Sequence, residues 1–243
     1  MKKFVPCNKC NNGYIYSDDG LSVIKCDCLK EYQHNSLVEL RKTKAGIEDF
    51  NLILDDYKGK DSEQNIKKLK RFCSDFSNFK SSCLYLYGPN GTQKSSVSKE
   101  ILNTLINLYP DFKGKFILMN SLMDIICDIF NKDENKKDIQ YLEDCDLLVI
   151  DDCFSAKKVT LYKNSKDYQM SFLDAFLRKR IEQNKKSTIF TANVSIEEIE
   201  KNGFSYDIQN LLSREILYKK GQLIFSEPYI NSEYDINVKS MWD

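Results

Sequence analysis

Two groups of residues in this chain have the types and spacing to do chemistry. The first is "GPNGTQKSS", Gly88 to Ser96. It follows the phosphate-binding pattern G-x-x-x-x-G-K-[ST] at Gly88, Lys94 and Ser95, with Gln93 standing where the second glycine belongs. Small residues let backbone N–H groups wrap a phosphate chain. The lysine then reaches the β- and γ-phosphates, and the neighbouring hydroxyl ligates Mg2+. In this reading Gly88, Pro89, Asn90, Gly91, Thr92, Gln93, Lys94, Ser95 and Ser96 cradle a nucleotide. Lys94 opens a helix, whose N-terminus favours an anion. Gln93 should crowd the loop beside the β-phosphate, because only glycine allows the closest backbone approach. The loop is expected to tilt outward or to run the glutamine along its surface. Either choice weakens nucleotide binding without removing it.

Three further elements follow in order. "LLVIDD" is an apolar strand that delivers Asp151 to the Mg2+ shell, with Asp152 beside it to orient or deprotonate an attacking water. "TIFTAN" is a second apolar strand, ending in Asn193, which can hold that water near the γ-phosphate. "LLSRE" presents Arg214, a guanidinium suited to charge developing on a transferred phosphoryl group. Each has an ordinary structural reading: a turn, a strand-ending asparagine, a solvated helix arginine. Their order in one chain favours the joint functional reading.

The second group is "CNKCNNGYIYSDDGLSVIKCDC". Cys7 and Cys10 form a C-x2-C pair, and Cys26 and Cys28 a C-x-C pair. The segment between them alternates Tyr14, Ile15, Tyr16, turns at Asp-Asp-Gly and resumes with Leu21, Val23 and Ile24, which predicts a hairpin. Folding back brings four thiolates around one tetrahedral ion, and Zn2+ takes such a set. With four protein ligands the site is closed to water and therefore structural. Four free thiols are the competing reading. His34, the lone histidine, reads as a surface residue. The other five cysteines, Cys73, Cys83, Cys127, Cys145 and Cys153, sit in apolar surroundings and read as small core hydrophobes.

The elements that must position these residues alternate. "SCLYLYG", "KFILMN", "DLLVIDD", "STIFTAN" and "QLIFSE" read as strands. "KSSVSKEILNTLINLY", "SLMDIICDIF", "YQMSFLDAFLRKRIEQN" and "DIQNLLSREILYKK" read as helices. That alternation predicts an α/β fold with a parallel sheet, whose ligands gather at the carboxyl ends of the strands. Residues 62–79 show helical spacing with Ser62 as N-cap, and "NKDENKKD" reads as a charged loop. The segment from Phe50 to Tyr57 reads as a docking segment. The expected layout is a zinc-binding module at 1–35, a linker at 36–60 and an ATPase domain at 61–243. The 243 residues are 42% hydrophobic and 30% charged, with zero formal net charge. Nucleic-acid binding would therefore need a local patch. No apolar run is long enough to span a membrane, and the N-terminus lacks a secretory signal, so a cytoplasmic protein is expected.

On these motifs the chain resembles the AAA+ ATPases of the DnaC/DnaI helicase-loader and IstB transposition-helper group, with phage- or mobile-element-encoded loaders nearest. "GPNGTQKSS" looks like their Walker A, "LLVIDD" their Walker B, "TIFTAN" their sensor 1 and "LLSRE" the segment carrying their arginine finger. Similar loaders often begin with a cysteine-rich module. The resemblance implies a P-loop AAA+ fold, ATP and Mg2+ as cofactors beside Zn2+, and Arg214 acting on a neighbour in a homo-oligomer. It also implies a DnaB-type replicative helicase and single-stranded DNA as partners. Three functions stay open: a helicase loader, an IstB-like helper, and a non-hydrolysing adaptor or helicase inhibitor. No arginine follows Arg214, so a sensor-2 arginine is absent unless a lysine substitutes.

Overall fold

The structure, a computed structural model, describes residues 3–18, 21–48, 53–57, 62–79, 81–127, 133–155, 166–217 and 222–224. A small antiparallel hairpin comes first. Its strands are β1 (Tyr14–Tyr16) and β2 (Val23–Lys25), paired with Ile15 opposite Ile24. The long helix α1 (Asp27–Ala45) follows directly, and ends at Gly46 in a left-handed cap. It runs unbroken through residue 35 and lies against the main body. Arg41 Nη1 donates to the carbonyls of Tyr109 (3.1 Å) and Pro110 (2.6 Å), while Val38 and Ala45 are buried. A single 3-10 turn at Leu54–Asp56 buries Leu54 and Tyr57; Phe50 lies outside the described residues.

The main body is a five-stranded parallel sheet in the order β4 (Gly114–Leu118), β5 (Leu147–Cys153), β6 (Ser187–Ala192), β3 (Cys83–Tyr87), β7 (Gln222–Ile224). Successive residues of a strand face opposite sides, and both sides are apolar here. On β5, Leu147 and Val149 join one core with Val97, Ile101, Leu102 and Leu105 of α3 (Lys94–Leu108) and with Phe72 of α2 (Ser62–Ser74). Leu148 and Ile150 join the other core. It is formed with α4 (Met119–Cys127), α5 (Asp133–Asp144), α6 (Lys166–Arg178) and α7 (Tyr206–Leu212). The result is three layers, helix–sheet–helix, with β5 and β6 buried along almost their whole length.

Three expectations need correction. The charged stretch "NKDENKKD" is not a loop in its described part, because α5 begins at Asp133. Glutamate and lysine are good helix formers. Lys136, Lys137 and Asp138 are exposed in the first half of this helix, whose second half buries Ile139 and Leu142. Ser62 is not an N-cap but the first residue inside α2. In their described parts the remaining strands and helices lie where the periodicity put them, except that Met119 and Asn120, read as the end of a strand, open α4. The last two helices end in a turn of π-helix, at Lys179–Gln183 and Ser213–Leu217.

Candidate nucleotide site and cysteine cluster

The loop after β3 enters the helix α3 as expected. Gly88 at φ 154° and Gly91 at φ 78° make its bends. Gly88 donates its N–H to the Ala192 carbonyl at 3.2 Å, which ties the loop to β6. Lys94 is the first residue of α3 and is buried. Its Nζ donates to the carbonyls of Gly88 (2.9 Å) and Pro89 (2.6 Å) and to Thr92 Oγ1 (3.1 Å). Thr92 Oγ1 donates in turn to the Pro89 carbonyl at 2.9 Å. The ammonium thus sits inside the concave side of the loop.

Gln93 caps α3 in the left-handed conformation, φ 63° and ψ 14°. The loop keeps its turn, and the glutamine adopts the backbone conformation that a glycine would take there without strain. Its Oε1 is buried and has no hydrogen-bond partner. The expectation of a side chain lying along the surface does not hold for that oxygen. The demand at position 93 is backbone handedness as well as space.

The strand ends bring the other residues in. Ser95 Oγ donates to Asp151 Oδ1 at 2.7 Å, joining the loop to β5. Asp151 is buried, 5% exposed, and its Oδ1 also accepts from Thr191 Oγ1 of β6. Asp152 sits at φ 56°, where β5 shifts register against β6 between Ile150 and Cys153. A non-glycine residue at positive φ is uncommon, and such strain gathers at functional sites. Asn193, just past β6, donates from Nδ2 to Asn90 Oδ1 at 2.9 Å, and so touches the tip of the loop. A carboxylate and a hydroxyl, both hard oxygen donors, therefore meet beside a buried ammonium. That donor set suits Mg2+.

Arg214 is not part of this cluster. It lies 46% exposed in the π turn after α7, with Nη2 on Glu182 Oε1 and Nε on Glu215 Oε1 (3.2 Å). Glu182 also takes Arg178 Nη1 at 3.5 Å. Arg180, which sequence reasoning left without a role, is fully buried. Its Nε donates to Thr188 Oγ1, Nη1 to the carbonyls of Leu142, Glu143 and Cys145, and Nη2 to that of Ser187. A cation at the carbonyl end of α5 complements the helix dipole. Nothing in the local spacing of Arg180 signals this, since three of its five acceptors come from the end of α5 and the residue just past it, 35 to 38 positions earlier in the chain.

The four N-terminal cysteines converge. Their Sγ–Sγ separations are 3.7 Å for Cys7–Cys10, 3.6 Å for Cys7–Cys26 and 3.5 Å for Cys10–Cys28. All four sulfurs lie within 4.8 Å of one another. A tetrahedron of thiolates about 2.3 Å from a central Zn2+ has edges of roughly 3.8 Å, so the cluster fits this ion with little movement. Local structure explains the convergence. Gly13 has φ 90°, and a Cβ there would stand 2.8 Å from Leu29 Cβ, so only glycine lets the first strand fold so tightly onto α1. Cys26 then donates its N–H to the Gly13 carbonyl at 2.7 Å. The Lys9 N–H and the Cys26 thiol hold the Cys7 thiol down to about 7, toward the thiolate a metal requires, while Cys26 and Cys28 are shifted up, burial being among the causes. His34 is exposed on α1 and outside the cluster, as expected. Cys73, Cys83, Cys145 and Cys153 are buried, and burial pushes Cys73 up to about 12, as suits inert core thiols. The side chain of Cys127 lies outside the described residues.

No family model matches this sequence, and no curated protein matches it. Solved structures do. A structure of DnaI superposes with a TM-score of 0.57 at 17% identity, over 73% of this chain and 89% of that one. The DnaC helicase loader superposes at 0.54 and 18% identity, over 72% of this chain and 95% of that one. The replication initiator DnaA, bound to AMPPCP and single-stranded DNA, superposes at 0.54 and 13% identity, over 80% of this chain and 56% of that one. At these identities the likeness is one of fold, the AAA+ P-loop fold expected from the motifs. Among the described residues no helix is long and apolar enough to cross a membrane.

Proposed function

We propose that this chain is an ATP-binding loader of a ring-shaped replicative helicase, with an N-terminal zinc module as its gripping element. The observation that carries the reading is the convergence of Lys94, Ser95, Asp151 and Asn193 at the carboxyl ends of three parallel strands. The sheet carrying them has the fold of DnaI and of the DnaC helicase loader over most of their length.

The geometry suggests how such a site works. Lys94 exchanges its bonds to the loop's own carbonyls for β- and γ-phosphate oxygens. Ser95 Oγ and the Asp151 carboxylate would hold Mg2+, which would supply charge neutralisation for phosphoryl transfer. Asp152, presented by its bent backbone, orients or deprotonates water, and Asn193 aligns that water from the opposite strand. Arg214 serves a neighbouring chain's nucleotide, leaving Glu182 and Glu215 to do so. DnaA's structure with single-stranded DNA supports DNA as a further ligand of this fold. The expected setting is the bacterial cytoplasm.

Calorimetry of ATP–Mg2+ binding tests the site: Lys94→Ala should lose binding, and an unchanged affinity would remove the P-loop reading. Identification of the protein that co-purifies with this chain tests the role. A hexameric helicase supports the loader. A transposase would replace it with an IstB-like helper, and a helicase complex without ATP hydrolysis would favour an adaptor. Mixed Arg214→Ala and Asp152→Asn chains should regain part of the ATPase activity that each lacks alone. Silence of the mixture in an intact oligomer would refute action in trans.

A further inference from the structure

Thr191 is buried, 2% exposed, two residues before Asn193 on β6. One hydroxyl there serves both aspartates at the end of β5. Thr191 Oγ1 donates to Asp151 Oδ1 and accepts the N–H of Asp152 at 3.1 Å. Oδ1 of Asp151 is thereby held from two sides, by Ser95 from the loop and by Thr191 from the sheet. The contact falls where the β5–β6 ladder loses register, and Asp152 takes φ 56° there. With the regular ladder interrupted at that point, the hydroxyl supplies the backbone N–H with an acceptor.

From this geometry we infer that Thr191 is a positioning residue for the metal–nucleotide complex. Its hydroxyl fixes the rotation of the Asp151 carboxylate, so that the carboxylate is ready-aimed at Mg2+ beside Ser95. The same hydroxyl pins the bend that presents Asp152. Thr191 touches neither nucleotide nor metal in this assignment; it acts through the two aspartates. Groups that orient a metal ligand in this way typically alter metal affinity by roughly 10- to 100-fold when removed. Valine keeps the branched shape and strand preference of threonine but can neither donate nor accept. Serine keeps the hydroxyl.

The inference rests on the nucleotide-site reading, and the experiment separates the two. Binding of a fluorescent ATP analogue to the full chain is measured in EDTA and then along a Mg2+ titration, for wild type, Thr191→Val and Thr191→Ser. The expected result is an unchanged affinity in EDTA for all three chains. The Mg2+ midpoint should rise roughly 10- to 100-fold in Thr191→Val and return to within a few-fold of wild type in Thr191→Ser. An unmoved midpoint in Thr191→Val overturns the inference. So does an equal loss of affinity with and without Mg2+, since that would make Thr191 a packing residue only. A Thr191→Ser chain as impaired as Thr191→Val also overturns it. If wild type binds no analogue under either condition, the nucleotide-site reading falls, and the inference falls with it.

Discussion

The hairpin and the parallel sheet solve the same problem, holding a few reactive side chains in place, by opposite means. All six residues of β1 and β2 are exposed, while nearly every residue of β5 and β6 is buried. A two-stranded hairpin without a core is marginal in water. On the zinc reading, what would fix its four sulfurs is an ion they share, together with the tight turn at Gly13. The sheet site needs no such help. Its loop, its two aspartates and its asparagine hang from strands locked between two hydrophobic cores, where each fully buried Leu, Ile or Val side chain contributes roughly 1.5–3 kcal/mol. On the proposed reading, one site would be built by its ligand and the other stands ready before its ligand arrives.

The largest effect should come from removing the metal. A zinc chelator should unfold the segment from Phe4 to Cys26 while the sheet stays folded, because apparent zinc binding energies of about 10–16 kcal/mol are folding energy in such modules. Metal analysis should find about one zinc per chain, and residue-resolved hydrogen exchange should show the loss confined to the hairpin. Cys10→Ser should behave as the chelator does. Hairpin protection that survives complete metal removal would break the contrast.

The converse change strikes the sheet alone. Arg180→Met removes the donor from four interior carbonyls and a hydroxyl, of which the Leu142 carbonyl keeps the Cys145 thiol and the Glu143 carbonyl keeps Asn184 Nδ2. Unpaired buried acceptors cost about 1–3 kcal/mol each before relaxation, so a loss on the order of 3–5 kcal/mol in denaturant stability is expected. Zinc content should not change. Arg180→Lys should rescue little, since one ammonium cannot reach acceptors spread along the fork of a guanidinium. A stability within about 0.5 kcal/mol of wild type, the usual range for surface substitutions, would show that water replaces the arginine without cost.

These two residues' worth of contrast also marks what could be read from the sequence. The cysteine set, the loop, Asp151, Asp152 and Asn193 were legible because each motif is local and its strand or helix is announced by periodicity. The α/β class and nearly all its elements were legible for the same reason. Arg180 and Thr191 were not. Their roles depend on partners brought in by the sheet, Arg180 reaching the end of α5 and Thr191 the register shift of β5. The start of α5 was misread because its charge hid a helix that only the buried Ile139 and Leu142 declare. Arg214 was legible as a residue type, but its pairing with Glu182 joins two π turns that no periodicity foretells.

The smallest effect concerns a second place, besides Asp152, where the rigid site carries backbone strain. Gln93 holds φ 63°, which costs an L-residue roughly 1–2 kcal/mol relative to glycine. Its Oε1 is also buried without a partner, a further penalty of the unsatisfied kind. Two substitutions separate these terms. Gln93→Gly removes both, and should stabilise the chain by about 1 kcal/mol in denaturant unfolding while tightening ATP–Mg2+ by a similar amount, on the scale of local backbone strain. Gln93→Ala removes the buried amide but keeps a Cβ in the left-handed region, so it should recover only part of that gain. If alanine recovers all of it, the amide and not the backbone is the burden. If neither substitution tightens binding, while both stabilise the chain, then the strain is present but the phosphates never meet it. If glycine weakens binding, the glutamine amide is itself a ligand of the nucleotide, and its unpartnered oxygen belongs to the site's function and not to its cost.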